Sequence, residues 1–378
     1  MTTKRNRKKN KKKQKPVKPI SLYSDFVEEA GPGCFIARRH SGGGKPESPA
    51  WMIGWEDVDL EDFGLEDIAD DDDCEIPDIA LDPEECTLSV CNVHNYTKVI
   101  YVTVFETRVV GANGVALKQG STTNNDGETV PCVTFIVLCP PQVFAHLCYL
   151  DVSREEELSD VRIENDVSRW NQHPNSDDEH PYRIGFPLNC TDPENGYSFK
   201  SFLCTQGEGG ELTHFFSGNL HAIDFRCPIG TELLAVADGI VVEAKDENTL
   251  TGVAVTNLFQ WNSILLEIQS LDGDGDAEDS NLGGGGPLFV EYVHISKSIV
   301  KAGDRVKRGQ VIGYSGSVGF SPEPHLHFSA FRSSHAEAPT VRVLFDNGKN
   351  DDCLSFLPKA GEWYDSNGIV NDPSRRCK

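Results

Sequence analysis

Two imidazoles two residues apart, in His325-Leu326-His327, are the side chains of this sequence best placed for chemistry. On a strand, positions i and i+2 share a face, so His325 and His327 project together while Leu326 and Phe328 point the other way. Paired imidazoles on an otherwise apolar strand are costly unless something binds them, and a metal ion is the usual reason. A second histidine strand, Phe289-Val-Glu-Tyr-Val-His294, is expected to put Val290, Tyr292 and His294 on one face. A third region, Thr213 to Phe225, offers His214, His221 and Asp224. A catalytic zinc takes three protein ligands and keeps a fourth position for water. His214, Asp224 and His327 meet that requirement. His221 competes with His214, but three residues before Asp224 on one strand it faces the opposite way. His94 and His146 each stand alone beside a strand and read as structural.

With those residues in view, a set of blocks resembles a known family. They are Gln206-Gly-Glu-Gly-Gly-Glu-Leu-Thr-His214, His221-Ala-Ile-Asp224-Phe225, Pro228-Ile-Gly230-Thr231, Ala237-Asp-Gly239-Ile-Val, Tyr292-Val-His294, Gly303-Asp-Arg-Val-Lys-Arg-Gly309-Gln-Val-Ile-Gly313 and Pro324-His-Leu-His-Phe328. Their order and spacing over residues 206–345 are similar to those of the M23 zinc metallopeptidases. The resemblance implies one Zn2+ per chain on His214, Asp224 and His327, with His294 and His325 as an unligated catalytic pair beside the metal's water. It also implies an endopeptidase acting on peptide or peptidoglycan-like substrates with small residues such as Gly or Ala near the cut. Many members carry a compact His-x-x-x-Asp, whereas nine residues separate His214 from Asp224 here. A zinc-containing binding or signalling module on the same fold, without catalysis, is the competing expectation.

The elements around these residues read as all-β. Residues 182–358 are punctuated by Gly-Asp, Asp-Gly and Gly-Gln turns and read as β-rich, and the resemblance implies an antiparallel M23-type catalytic domain there. Ahead of it, Thr87–Val93, Lys98–Val110, Thr129–Leu138 and Val143–Val152 read as strands of a small β-sandwich over 86–153. Both faces of the strand from Lys98 are largely apolar. Residues 154–181 read as a linker with a short helix around Glu155–Trp170, and 359–378 as a tail. Residues 1–85 are expected to be disordered, a basic arm followed by an acidic tract.

Charge supports that last reading. Residues 1–19 hold ten of the 35 basic side chains and no acidic one, while 16 of the 30 residues from Glu56 to Glu85 are acidic. Like charges at that density repel and resist folding alone. With residues 1–19 set aside the other 359 residues carry a net charge of -34, so only the short arm could supply a basic face for nucleic acid. The basic start runs into Pro16, Pro19 and Ser21 without the apolar stretch of a secretory signal. Val130 to Leu150 is split by Pro140 and Pro141 into runs too short to cross a bilayer of roughly 30 Å, so two strands are expected and no transmembrane segment. Asp272-Gly-Asp-Gly-Asp opens like a calcium loop, but position twelve is Gly283 where Glu is needed. Val300 to Gly313 is also similar to lipoyl-type carriers, yet no methionine flanks a lysine there, and the chain has only Met1 and Met52.

Overall fold

The computed structural model describes residues 27–37, 52–54, 77–169 apart from 83–84, 93, 112–113, 140–142 and 153–157, and 181–377 apart from 192–199, 211, 215–217, 269–286, 336–337 and 347–354. The basic arm, most of the acidic tract, the insert from Asp272 and the loop with His173 and His180 lie outside the described residues. Strands dominate, and the described helical segments named are two short 3-10 turns, Val255–Asn257 and Pro373–Arg375. No helix among the described residues is long and apolar enough to cross a membrane.

The amino-terminal part is a two-sheet sandwich built from β1 (Val27–Gly31), β2 (Cys34–Ala37), β3 (Met52–Gly54), β4 (Ile79–Asp82), β5 (Thr87–Asn92), β6 (Lys98–Phe105), β7 (Val109–Val110), β8 (Gly120–Thr123), β9 (Thr129–Cys139), β10 (Val143–Leu150) and β11 (Ile163–Arg169). In the first sheet, β9 pairs with β6 on one edge and with β2 and β8 on the other; β11 extends it beyond β6 and β1 beyond β2. The second sheet runs β3-β10-β5-β4, with β7 also on β10. Between them lies a core of Leu88, Val90, Ile100, Val102, Val104, Val133, Phe135 and Leu147.

Two expectations are corrected here. The sandwich does not begin at residue 86: the backbone of β1 to β4 is paired into it, and Cys34, Phe35 and Ile36 are buried. Their apolar run is short, and the surrounding charge hid it. The helix around Glu155–Trp170 is also overturned over its second half, because residues 163–169 pair in register with β6 as an edge strand. Val161, Ile163 and Val167 pack on the core at a period of two, which a strand uses and a helix does not.

The carboxy-terminal part is a nine-stranded sheet with smaller sheets packed beside it. Its strands are β12 (Tyr182–Gly185), β13 (Phe202–Gln206), β14 (Ile223–Arg226), β15 (Glu232–Leu234), β16 (Gly239–Lys245), β17 (Thr251–Gly252), β18 (Ser263–Ile268), β19 (Leu288–Val293), β20 (Lys297–Ser298), β21 (Arg305–Val306), β22 (Val311–Tyr314), β23 (Gly319–Phe320), β24 (His325–Phe331), β25 (Val343–Asp346), β26 (Trp363–Asp365) and β27 (Gly368–Ile369). The large sheet runs β21-β16-β18-β19-β24-β14-β13-β26-β27. Residues 359–378 are therefore not a tail, since β26 pairs with β13 and Tyr364 is buried in the core. One face of the sheet packs Phe225, Leu326, Phe328 and Tyr292 against Phe186 and Phe345, with Phe186 to Phe225 ring centroids 5.1 Å apart.

The two parts share a sheet. Gly252 of β17 pairs with Thr122 of β8, and β17 pairs in parallel with β23. Gly252 has φ +117°, and a Cβ there would lie 2.1 Å from the Ser121 carbonyl, so only glycine permits this approach. Thr103 Oγ1 accepts from the Val255 amide at 2.8 Å, and Val99, Tyr101 and Phe105 pack on Val253, Ala254, Val255 and Phe320. That packing explains why both faces of β6 are apolar.

Deleting residues 1–25 should leave the thermal midpoint of the chain unchanged, whereas deleting 1–37 or making Phe35→Ala should destabilise it by about 3 kcal/mol; equal midpoints would remove β1 and β2 from the core. His146, buried beside Ser89 Oγ at 2.8 Å, is pushed down to about 4 by burial against the opposing pull of Asp82. The unfolded chain protonates this group first, near 6.5, so stability should be level above that pH. It should fall by up to roughly 3 kcal/mol as pH drops toward 4. Urea melts of the chain and of His146→Gln, which should flatten that slope, measure it.

Candidate metal centre

Strand register builds the site. Asp224 of β14 pairs directly with His327 of β24, and His327 pairs on its other side with Val293 of β19, forming one row across three strands. Their neighbours Phe225, Leu326 and Phe328 turn into the core, so Asp224, His325 and His327 emerge on the opposite face.

The row gathers a compact donor set. His327 Nδ1 lies 2.8 Å from Asp224 Oδ1, His214 Nε2 lies 3.2 Å from the same oxygen, and the two nitrogens are 3.3 Å apart. All three residues are buried. Tetrahedral ligands at about 2.0–2.2 Å from a zinc stand about 3.3–3.6 Å from one another, so the triangle needs only slight opening to hold one. Burial pulls the Asp224 carboxyl up, but His214, His325 and His327 outweigh it and hold the group well below the ordinary carboxylate range. Burial lowers His327 against the opposing pull of Asp224 and favours its neutral, lone-pair-bearing form. The residues present thus fit a divalent cation.

Surrounding groups fix each donor. His214 Nδ1 faces the Gly207 carbonyl at 3.0 Å, and because a carbonyl only accepts, Nδ1 carries the proton and Nε2 the lone pair. Gln206 is the residue that sequence reasoning did not single out. Its Nε2 donates to Asp224 Oδ2 at 2.8 Å, leaving Oδ1 for the site, while its Oε1 accepts from the amides of Leu212 and Thr213, both at 2.9 Å. It thereby ties the loop bearing His214 to the carboxylate. A Cβ on Gly210 would lie 2.2 Å from Gln206 Cγ, so the loop closes on this side chain only with glycine there. The position of Gln206, at the head of the first histidine block, was the available signal.

His221 stands apart from the triangle, but not by strand parity: it lies in the turn before β14 rather than on the strand with Asp224. Its Nδ1 bonds Glu208, which also accepts from Arg342 Nε at 2.8 and 3.0 Å. Burial raises the Glu208 carboxyl, and these two partners more than reverse that.

His294 and His325 lie beside the triangle, their ring centroids 4.6 Å apart. His294 Nδ1 faces the Val318 carbonyl at 2.7 Å, and His325 Nδ1 faces the Glu323 carbonyl at 2.7 Å. A carbonyl only accepts, so in both rings Nδ1 carries a proton and donates it. Burial, reinforced by His325 and His327, holds His294 well below the ordinary imidazole range.

The expected shared face of Val290, Tyr292 and His294 is corrected. Val290 and Tyr292 belong to the core, with the Tyr292 hydroxyl bonded to Leu234 and Val236. His294 follows the end of β19 with φ +65°, a left-handed turn that brings it to the cleft side with Glu291 and Val293. That conformation costs a non-glycine residue roughly 1–2 kcal/mol.

An all-β domain with a buried His/Asp/His donor triangle and two further imidazoles has the layout of a mononuclear metal site. Residues 282–339 match peptidase family M23, and the domain is of that type. The chain is 37% identical over 155 residues to the glycyl-glycine endopeptidase ALE-1 of Staphylococcus capitis, covering 41% of this chain and 33% of that protein. It is 35% identical over 146 residues to lysostaphin of Staphylococcus simulans, covering 38% and 23%. Against the peptidoglycan DD-endopeptidase ShyA of Vibrio cholerae it is 30% identical over 105 residues, covering 28% and 18%. The chain thus spans a third or less of the length of these relatives. Among solved structures, the lysostaphin catalytic domain of Staphylococcus simulans aligns at 32% identity, covering 37% of this chain and 86% of that one with a TM-score of 0.24.

Gln206→Ala should release the His214 loop and weaken zinc binding about 10–100-fold by chelator competition. Gln206→Glu, which sets an anion against Asp224 Oδ2, should do no better. Undiminished affinity in both would deny Gln206 a positioning role.

Proposed function

We propose that this protein is a zinc metalloendopeptidase that hydrolyses peptide bonds with metal-activated water, in Gly/Ala-rich or peptidoglycan-like peptides. The observation that carries the reading is the donor triangle of His214, Asp224 and His327 with two Nδ1-anchored imidazoles beside it. The named activities of the M23 relatives agree with it.

His214 Nε2, Asp224 Oδ1 and His327 Nδ1 would hold the ion. When bound, zinc supplies a Lewis acid and a water acidified toward neutrality. His294 and His325 supply the proton transfers: an unprotonated Nε2 accepts a proton from water, and the resulting imidazolium can stabilise the oxyanion or protonate the leaving amine. Their Nδ1–H bonds to Val318 and Glu323 keep the rings in place through that exchange. Asp224 is acceptor-only and compensates the charge that builds on the imidazoles.

Zinc content, measured on the full chain after chelation and reloading, should be one per chain. It should drop sharply in His214→Ala, Asp224→Ala and His327→Ala, since three ligands leave no redundancy. His294→Ala and His325→Ala should keep the metal and lose at least about 10²-fold in turnover of glycine- and alanine-rich peptides. Zinc retained without hydrolysis in the unmodified chain would instead mark a binding module.

A further inference from the structure

The cleft that ends at His294, His325 and His327 has a volume of about 710 Å³ and is bounded by both domains. One wall is the sheet face bearing Glu291, Val293 and Ser329. The other belongs to the sandwich: Val99 and Tyr101 of β6, and Asp166 and Ser168 of β11. Ile100, Val102 and Val167 point into the sandwich core, so the alternating positions must face the carboxy-terminal domain. At the rim, Phe259 is 72% exposed and its ring lies 5.7 Å from that of Trp261.

The described lining includes no lysine or arginine. Of its carboxylates, Asp224 belongs to the donor triangle and Glu323 is paired with Arg226 at 2.8 Å. Asp166 and Glu291 remain, one on each wall; burial raises the Glu291 carboxyl against its bonds to the side chains of Ser263 and Trp261, and an ammonium alongside would favour its ionised form. Apolar walls lower the local dielectric and strengthen the pull of such groups on a cation, and aromatic faces add to it.

We propose that the substrate peptide is held between the two domains, with the β6–β11 face of the sandwich as its second wall, and that this wall selects a peptide carrying an ammonium group near the cut, drawn by Asp166 and Glu291. The proposal rests on the peptidase reading of the metal centre and adds the substrate's charge and the origin of the wall.

The test uses the full zinc-loaded chain and matched glycine- and alanine-rich peptides that carry a single lysine or a single norleucine at successive positions. Binding is followed by anisotropy of the labelled peptide, and hydrolysis in parallel. At one or more positions the lysine peptide should bind at least about tenfold tighter, and Asp166→Asn or Glu291→Gln should bring the pair to within about twofold. Ser168→Trp, on an exposed position of the wall, should weaken both peptides about tenfold, with zinc content and thermal midpoint unchanged as evidence of folding. Equal affinity for the two peptides at every position, or a lysine preference untouched by both carboxylate variants, would overturn the proposal. A chain that binds the lysine peptide through Asp166 and cuts nothing would sink the peptidase reading and keep the wall. A chain that cuts both peptides equally, with Ser168→Trp behaving as unmodified, would do the reverse.

Discussion

The register between β14 and β24 is the constraint on which the centre depends. Asp224 faces His327 because Phe225 faces Leu326 and Ile223 faces Phe328, each pair wholly buried. Strand period is two, so a slip of one residue would turn the histidines into the aromatic core and the apolar side chains into the cleft. The aromatic packing of Phe225, Phe328 and Phe345 therefore determines where the candidate donors stand, and a core that resists slippage is also what keeps the triangle small.

The sandwich acts on the same chemistry from the far side. Its first sheet continues through β17 into β23, and the two carbonyls that orient the unligated histidines flank that last strand, Val318 before it and Glu323 after it. Tyr101 meets Phe320 edge-on at 6.1 Å, fixing the strand between those carbonyls. Thr123 Oγ1 receives the Thr251 amide at 2.8 Å across the boundary. Two regions that composition separates are thus mechanically one body at the place where His294 and His325 are oriented.

How much of this was legible depends on what kind of signal a residue leaves. His325 and His327 announce themselves because alternation and residue type agree, and the structure brings His327 together with Asp224 and His214 despite the long spacing between His214 and Asp224. Gln206 left no such mark, since its role comes from a loop folding back on it. The face taken by His294 was misread because alternation assumes a continuous strand, and one left-handed residue reverses parity. The apolar outer face of β6 was visible, but only tertiary structure says what covers it. β1, β2 and β26 were missed because short strands of mixed composition are stabilised by their partners rather than by their own pattern.

β1 anchors the start of the described chain at the cleft, where Ala30 is part of the lining. The last lysine of the basic arm, Lys18, is nine residues ahead of Val27. Nine residues span at most about 32 Å when fully extended. Anything held at Lys18 would therefore lie within a few nanometres of the cleft's edge at β1.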